Sequence, residues 1–170
     1  MAVLVVLLGY DLSVAGGFLY ERVAGFTSLS FAAMAVGSWG GPMIFGASRR
    51  GLSMALIAEA LAAGTVGLFG PGTLPVPSVY ALVALSGFAG GAVYALGWRC
   101  FQDAGVDSPG GAAYAWDSAG GAAGFAAGAF LGTSLGIQAT ALVVAAVLVS
   151  CASVGLLAKP PAKAWNNRAS

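Results

Sequence analysis

The acidic residues that could carry chemistry are few, and three of them lie inside apolar stretches. These are Asp11, Glu59 and Asp117, and Arg99 lies near the end of another apolar stretch. A carboxyl group in hydrocarbon must face the protein interior, pair with a cation or stay protonated. The pattern fits a proton- or cation-coupled path. It also fits a purely structural arrangement, with one ion pair between Arg99 and Asp117 and two neutral or hydrogen-bonded carboxyls.

Other kinds of chemistry lack the necessary side chains. The sequence has no histidine, which is the commonest metal ligand and proton shuttle, and its two cysteines, Cys100 and Cys151, make no disulfide framework. The serines have neither a histidine nor a close lysine to activate them. We therefore expect no catalytic residue, no metal site and no cofactor, so the chain is not expected to be an enzyme.

The composition indicates which solvent surrounds the chain. Of the 170 residues, 59% are hydrophobic and 8% are charged, and the net charge is +1. Soluble domains carry about a quarter of charged residues because their surfaces face water. The composition thus predicts an all-α, polytopic membrane protein whose surroundings are the lipid bilayer. Without a basic block in the sequence, nucleic acid is not an expected partner.

Six segments are long and apolar enough to be predicted as transmembrane helices, each near the roughly 20 residues that a span needs. Prolines mark most of the boundaries between them. The connections are short, so consecutive helices are expected to pack as antiparallel neighbours. We expect a six-helix transmembrane domain over residues 1–158 and a short cytoplasmic tail over residues 159–170. The segments are Ala2–Tyr20, Val23–Phe45, Leu52–Phe69, Ser78–Cys100, Gly111–Leu135 and Ile137–Ala158.

The basic residues predict an orientation for these six segments. One side receives six of the seven, and the other side receives only Arg22. Cytoplasmic loops are enriched in Lys and Arg. Both termini are therefore expected in the cytoplasm, with the chain in the inner membrane of a bacterium. The six are Arg49, Arg50, Arg99, Lys159, Lys163 and Arg168.

Glycines recur every four residues in the fifth segment. Positions four apart lie on one helical face with a slow drift, so the repeat predicts a groove that another helix can approach closely. The first interpretation is packing inside the bundle; the second is docking of a partner subunit or a flat lipid-like ligand. Gly37 and Gly41 form a shorter version in the second segment. The groove residues are Gly120, Gly124, Gly128, Gly132 and Gly136.

Tryptophan and tyrosine residues lie mostly near the segment ends. This distribution is typical of the aromatic belts at the two membrane interfaces. It predicts no stacking platform for a ligand. The residues are Trp39, Trp98, Trp116 and Trp165, with Tyr20, Tyr94 and Tyr114.

Two stretches resemble a known family. Tyr114–Gly124 has the pattern Tyr-Ala-x-Asp-x-x-Gly-x-x-x-Gly, and Phe31–Gly46 contains Met-x-x-Gly-x-x-x-Gly. The first resembles the membrane portion of bacterial spermidine-synthase-like proteins, which is major-facilitator-like, and the second is similar to a helix of that family. The resemblance implies six helices arranged as one half of a major-facilitator fold. Because the sequence contains neither the soluble synthase domain nor a second half, it does not imply synthase activity or polyamine binding.

Together these features predict a non-catalytic integral membrane subunit that scaffolds or bridges components of a larger membrane complex. Electron-transfer and photosynthetic complexes are plausible hosts, and other membrane subunits are the expected partners. The alternative is a proton-coupled small-solute transporter that acts as a homodimer of six-helix halves, with Asp11, Glu59 and Asp117 carrying the protons. Whether a small or lipid-like ligand binds is left open by the sequence.

Overall fold

A computed structural model describes residues 19–70 and 73–157, with side chains from residue 24 onward. The described residues form five helices and no strand. The first predicted segment, Ala2–Tyr20, lies almost wholly outside them, and so does the predicted tail. A count of six helices therefore stays a prediction. The helices are α1 (Leu19–Phe45), α2 (Arg49–Phe69), α3 (Val76–Asp103), α4 (Pro109–Leu135) and α5 (Ile137–Leu157).

Three of these five helices, α2, α3 and α5, are long and apolar enough to cross a membrane, which fits a membrane protein. The other two, α1 and α4, are long enough at 27 residues each, but they are rich in glycine, alanine and serine. Such small side chains contribute little hydrophobicity compared with leucine or isoleucine. These two segments are predicted to be transmembrane because they are long and carry few charges. Neither property distinguishes small side chains from strongly hydrophobic ones.

Local sequence signals explain where the helices begin and end. The Ser48 hydroxyl caps α2 by accepting a hydrogen bond from the Gly51 backbone N–H at 3.2 Å. Pro77 and Pro109 occupy the first turns of α3 and α4, where the missing N–H costs nothing. Gly136, with φ of 81°, is the single residue between α4 and α5.

The helices do not pack in simple chain order. The most extensive contacts join α1 to α3 and α2 to α5, and α2 also contacts α3. The sequence predicts that consecutive helices pack as neighbours, and contact between α1 and α2 is present but slight. The helix α4 makes smaller contacts with α3 and α5 and lies at the edge of the five described helices.

The buried core lies along α2 and α3. One cluster is centred on Phe26, Val66 and Val83, and a second consists of Ala55, Ala92 and Leu96. Residues early in α2 thus meet residues late in α3, so these two helices are antiparallel. The start of α2 and the end of α3, which carry Arg49 and Arg99, therefore share one end of the bundle.

Candidate functional site: a cleft between α1, α3 and α4

The closest helix contact in the described part of the chain joins α1 to α3 through glycines on both. A Cβ atom at Gly87 would lie 2.6 Å from the Ser30 carbonyl oxygen, and one at Gly37 would overlap the Phe88 carbonyl oxygen. Gly41 and Gly91 are equally close to the opposite helix. The contacts advance together along both helices, so α1 and α3 run parallel.

A hydrogen bond crosses the same contact. The Ser38 hydroxyl donates to the Gly91 carbonyl oxygen at 3.2 Å and to the Met34 carbonyl oxygen of its own helix at 2.9 Å. The absence of side chains brings the backbones close enough for this bond. Sequence reasoning singled out Gly37 and Gly41 but missed Gly87 and Gly91. Their four-residue spacing, the same as that of Gly37 and Gly41, was the signal that could have found them.

The glycine repeat of α4 does not form one groove. Gly128 is buried, whereas Gly120 is exposed, and a Cβ atom at Gly120 would meet nothing within 4 Å. The reason is the helical period, since each four-residue step turns roughly 40° around the axis. Gly124 and Gly132 are half-buried, on either side of Gly128 in sequence. The last glycine of the repeat, Gly136, lies beyond the end of α4 and forms the turn to α5.

A cleft of about 770 Å³ opens beside the α1–α3 pair and is closed on its far side by α4. The two α5 residues Val144 and Leu148 complete its wall. Ligand pockets in proteins are commonly clefts of about 300–1,000 Å³, and the space between the helices of a bundle is one of their usual positions. The size and position of the cleft therefore suit a small-molecule site.

Glycines form one part of the cleft lining and aromatic rings form another. Gly90, Gly97, Gly120, Gly121 and Gly124 leave space between the helices. Trp116 and Tyr94, which the sequence predicts in an interfacial belt, also line this cleft. Chain position gives the depth of these two residues but not their direction around the helix, so the predicted belt position stays a prediction. The aromatic residues are Phe31, Tyr94, Phe101, Trp116 and Phe125.

Asp117 is the one charged residue among those that line the cleft. Within the described ranges, no ion pair joins it to Arg99, the partner that the sequence suggested. The helical period explains this. Gly97 lines the cleft, and Arg99, two residues further along α3, points about 200° away from it.

Glu59 lies elsewhere, buried between α2 and α3 and only 3% exposed. The Ser86 hydroxyl donates a hydrogen bond to its Oε1 atom at 2.8 Å. Glu59 and Asp117 therefore do not share one site, although both lie within apolar helices. The third predicted carboxyl, Asp11, lies outside the described residues.

Ser30 is a buried polar residue of the cleft lining. It is 3% exposed and lines the cleft, and its hydroxyl has no hydrogen-bond partner within the part of the chain that the structure describes. A buried hydroxyl is normally satisfied. This group therefore marks a position where a bound molecule can supply a donor or an acceptor.

No cluster of acidic, cysteine or histidine side chains suited to a metal ion occurs over residues 24–70 and 73–157. The two cysteines are not bonded to each other. The polar side chains that line the cleft include one carboxyl group and several hydroxyl groups.

Comparison of the chain with protein-family models, with curated proteins and with solved structures finds no match.

Proposed function

We propose that this chain is a non-catalytic, integral membrane subunit that bridges components of a larger membrane complex, and that α4 is the helix on which a partner docks. In this proposal six helices cross the inner membrane of a bacterium and both termini are cytoplasmic. The observation that carries the proposal is how little of α4 the other described helices cover. Of its 27 residues, Ala113 and Gly128 are buried.

The outward face of α4 consists of small side chains along its whole length. Its members follow alternating steps of four and three residues, which is the heptad spacing of a helix–helix seam. Ala122 lies two residues before Gly124, about 200° around the helix, so this face points away from the cleft. We name it the alanine seam; it consists of Ala115, Ala119, Ala122, Ala126, Ala129 and Thr133, all exposed.

A seam of this kind is suited to another helix rather than to lipid. Small residues let two helix backbones approach closely, and van der Waals packing then drives association in the bilayer. The edge position of α4, in contact with α3 and α5 on its other side, leaves the seam accessible. The expected partner is therefore a transmembrane helix of another subunit.

The charge distribution supports the proposed orientation. Leu52 and Ala55 of α2 pack in one cluster with Leu96 of α3. The start of α2 and the end of α3, with Arg49 and Arg99, are therefore neighbours. A Cβ atom at Gly155 would lie 2.5 Å from the Ser53 hydroxyl oxygen, which brings the end of α5 to the same side. Basic residues gathered at one end of a bundle favour a cytoplasmic placement of that end.

Purification in a mild detergent tests the subunit proposal. We expect the chain to elute with other polypeptides, and we expect the double variant Ala122→Leu, Ala126→Leu to elute without them. The matched control is Ala146→Leu, an exposed alanine on α5 outside the cleft lining. Elution of the unaltered chain alone, under conditions that keep it folded, contradicts the proposal.

One observation favours the transporter alternative, in which two copies rebuild twelve helices and Asp11, Glu59 and Asp117 carry protons. Asp117 lines an open cleft and Glu59 is buried in the bundle, which are positions suited to proton-coupled binding. This alternative predicts that Asp117→Asn abolishes solute uptake or efflux by vesicles while the assembly stays intact. Loss of assembly without a change in transport would favour the subunit role.

The likeness to spermidine-synthase-like membrane proteins remains a hypothesis. Its specific residues, Tyr114 to Gly124, fall in α4, and Met34, Gly37 and Gly41 fall in α1. These are the two helices that flank the cleft. A half-transporter arrangement of all six helices is part of the proposal and would be tested by an experimental structure of the full chain.

A further inference from the structure

We propose that the cleft between α1, α3 and α4 binds a hydrophobic organic cation, with the positive group beside Asp117 and the apolar body against the aromatic wall. This inference does not depend on the docking of a partner subunit. The cleft lies on one side of α4 and the alanine seam lies on the other, so both can be occupied at once.

The charge of the ligand follows from Asp117. It is the single charged residue in the lining, and among the described residues no basic side chain forms an ion pair with it. Asp117 is exposed and the rest of the lining carries no charge, so its carboxylate attracts a bound cation and repels a bound anion. The cleft thus discriminates by charge, which a purely apolar groove for lipid tails does not do.

The aromatic rings favour a cation with delocalised or shielded charge. Trp116 is adjacent to Asp117 in the sequence, and both line the cleft together with Tyr94 of the opposite wall. The faces of Trp and Tyr rings attract cations, most strongly where water is excluded. Ions that keep a tight hydration shell gain little from such a surface, whereas organic cations with apolar substituents gain from both the rings and the carboxylate.

The glycines of the α4 wall define where the apolar body fits, and Ser30 marks a polar point on the α1 wall. Ser30 is buried, its hydroxyl has no partner among the described side chains and backbone groups, and it lines the α1 wall. On the α4 wall, Cβ atoms at Gly120 and Gly121 would meet nothing within 4 Å. The space beside Gly120 and Gly121 is therefore open to a ligand. Large side chains at these two positions would occupy that space.

The experiment uses the full chain in nanodiscs and two probes with the same four phenyl groups and opposite charge. Tetraphenylphosphonium is the cation and tetraphenylborate is the anion. Isothermal titration calorimetry and quenching of tryptophan fluorescence measure the dissociation constants. We expect saturable binding of one tetraphenylphosphonium per chain, with affinity at least about tenfold above that for tetraphenylborate after subtraction of protein-free nanodiscs.

Variants then locate the site. Asp117→Asn is expected to weaken binding of the cation by about tenfold, the size of one lost charged contact. The matched control is Asp107→Asn, an exposed carboxylate in the loop before α4, which should leave binding unchanged. Gly120→Leu should abolish binding of both probes, because its side chain occupies the space between the walls.

Three outcomes would overturn the inference. Equal binding of the two probes would mean that the cleft is an apolar groove for lipid tails. Absence of saturable binding would mean that another helix or part of the chain fills it. Full affinity in both Asp117→Asn and Gly120→Leu would place the site elsewhere. If a variant fails to fold, the inference is judged by whether the unaltered chain binds tetraphenylphosphonium more tightly than tetraphenylborate. If the chain purifies without other polypeptides and still prefers the cation, the subunit proposal is refuted and the present inference stands.

Discussion

The α1–α3 contact and the α4 edge of the bundle use the same kind of sequence with opposite results. Both contain glycines four residues apart, but Gly37 and Gly41 on α1 pack directly against Phe88 and Ala92 of α3, whereas a Cβ atom at Gly120 would meet no neighbour within 4 Å. Close approach of two helices requires small residues on both of them. The comparison teaches that a glycine repeat permits close helix–helix packing. Whether such packing forms within the chain depends on which helix faces the repeat.

The largest expected effect is at the α1–α3 contact. We predict that Gly91→Ala lowers the free energy of unfolding by about 3 kcal/mol, the upper end of the usual range for overpacking, because a Cβ atom there would overlap the Met34 backbone carbonyl. Backbone cannot move aside as a flexible side chain can. Denaturant titration in mixed micelles measures the change.

Gly97→Ala is the matched control on the same helix. A Cβ atom at Gly97 would meet nothing within 4 Å, so the substitution should leave stability unchanged or raise it slightly. If Gly91→Ala and Gly97→Ala were equally tolerated, the close approach of α1 and α3 would not exist in the bilayer.

An intermediate effect is expected at the buried hydrogen bond between α2 and α3. Ser86→Ala removes the donor to Glu59 Oε1 and should destabilise the fold by about 1–2 kcal/mol. The comparison residue is Ser150, whose hydroxyl is exposed and bonds within its own helix. Ser150→Ala should change stability by less than about 0.5 kcal/mol, and an equal loss in both would show that burial of Glu59 is unimportant.

The smallest effect is expected on α4 and has the opposite sign. Gly120→Ala adds a methyl group in open space and removes a flexible residue from a helix interior, so stability should rise by about 0.5–1 kcal/mol. Thermal unfolding of the purified chain provides the measurement. A loss of stability comparable to that of Gly91→Ala would mean that the α4 repeat packs against a neighbour, and the comparison would fail.

The sequence predicted the helical class and the approximate bounds of the described helices, because prolines, glycines and charges mark helix ends physically. The predicted span Ile137–Ala158 and the observed helix Ile137–Leu157 differ by a single residue, and Leu52–Phe69 falls within Arg49–Phe69. The count of six and the cytoplasmic placement of both termini are predictions that these five helices do not test.

The candidate site was harder to predict, because it depends on direction around each helix. Asp117 was singled out for its depth, but its expected partner Arg99 faces another way. Nothing in the sequence indicated that Trp116 lines the cleft, and the glycine repeat predicted Gly136 in the groove, whereas Gly136 forms the turn between α4 and α5. Helical periodicity shows which residues share one face of a helix. Which other helix packs against that face depends on contacts between residues far apart in the sequence.

Photo-crosslinking from α4 in intact membranes tests the central proposal most directly. A photoreactive residue replaces Ala126 in the alanine seam or, as the control, Ala146 on α5, and mass spectrometry identifies the products. The proposed role predicts that position 126 yields one reproducible covalent product with another polypeptide, while position 146 yields lipid adducts alone. Lipid adducts alone at both positions would contradict it, because the alanine seam would then face the bilayer.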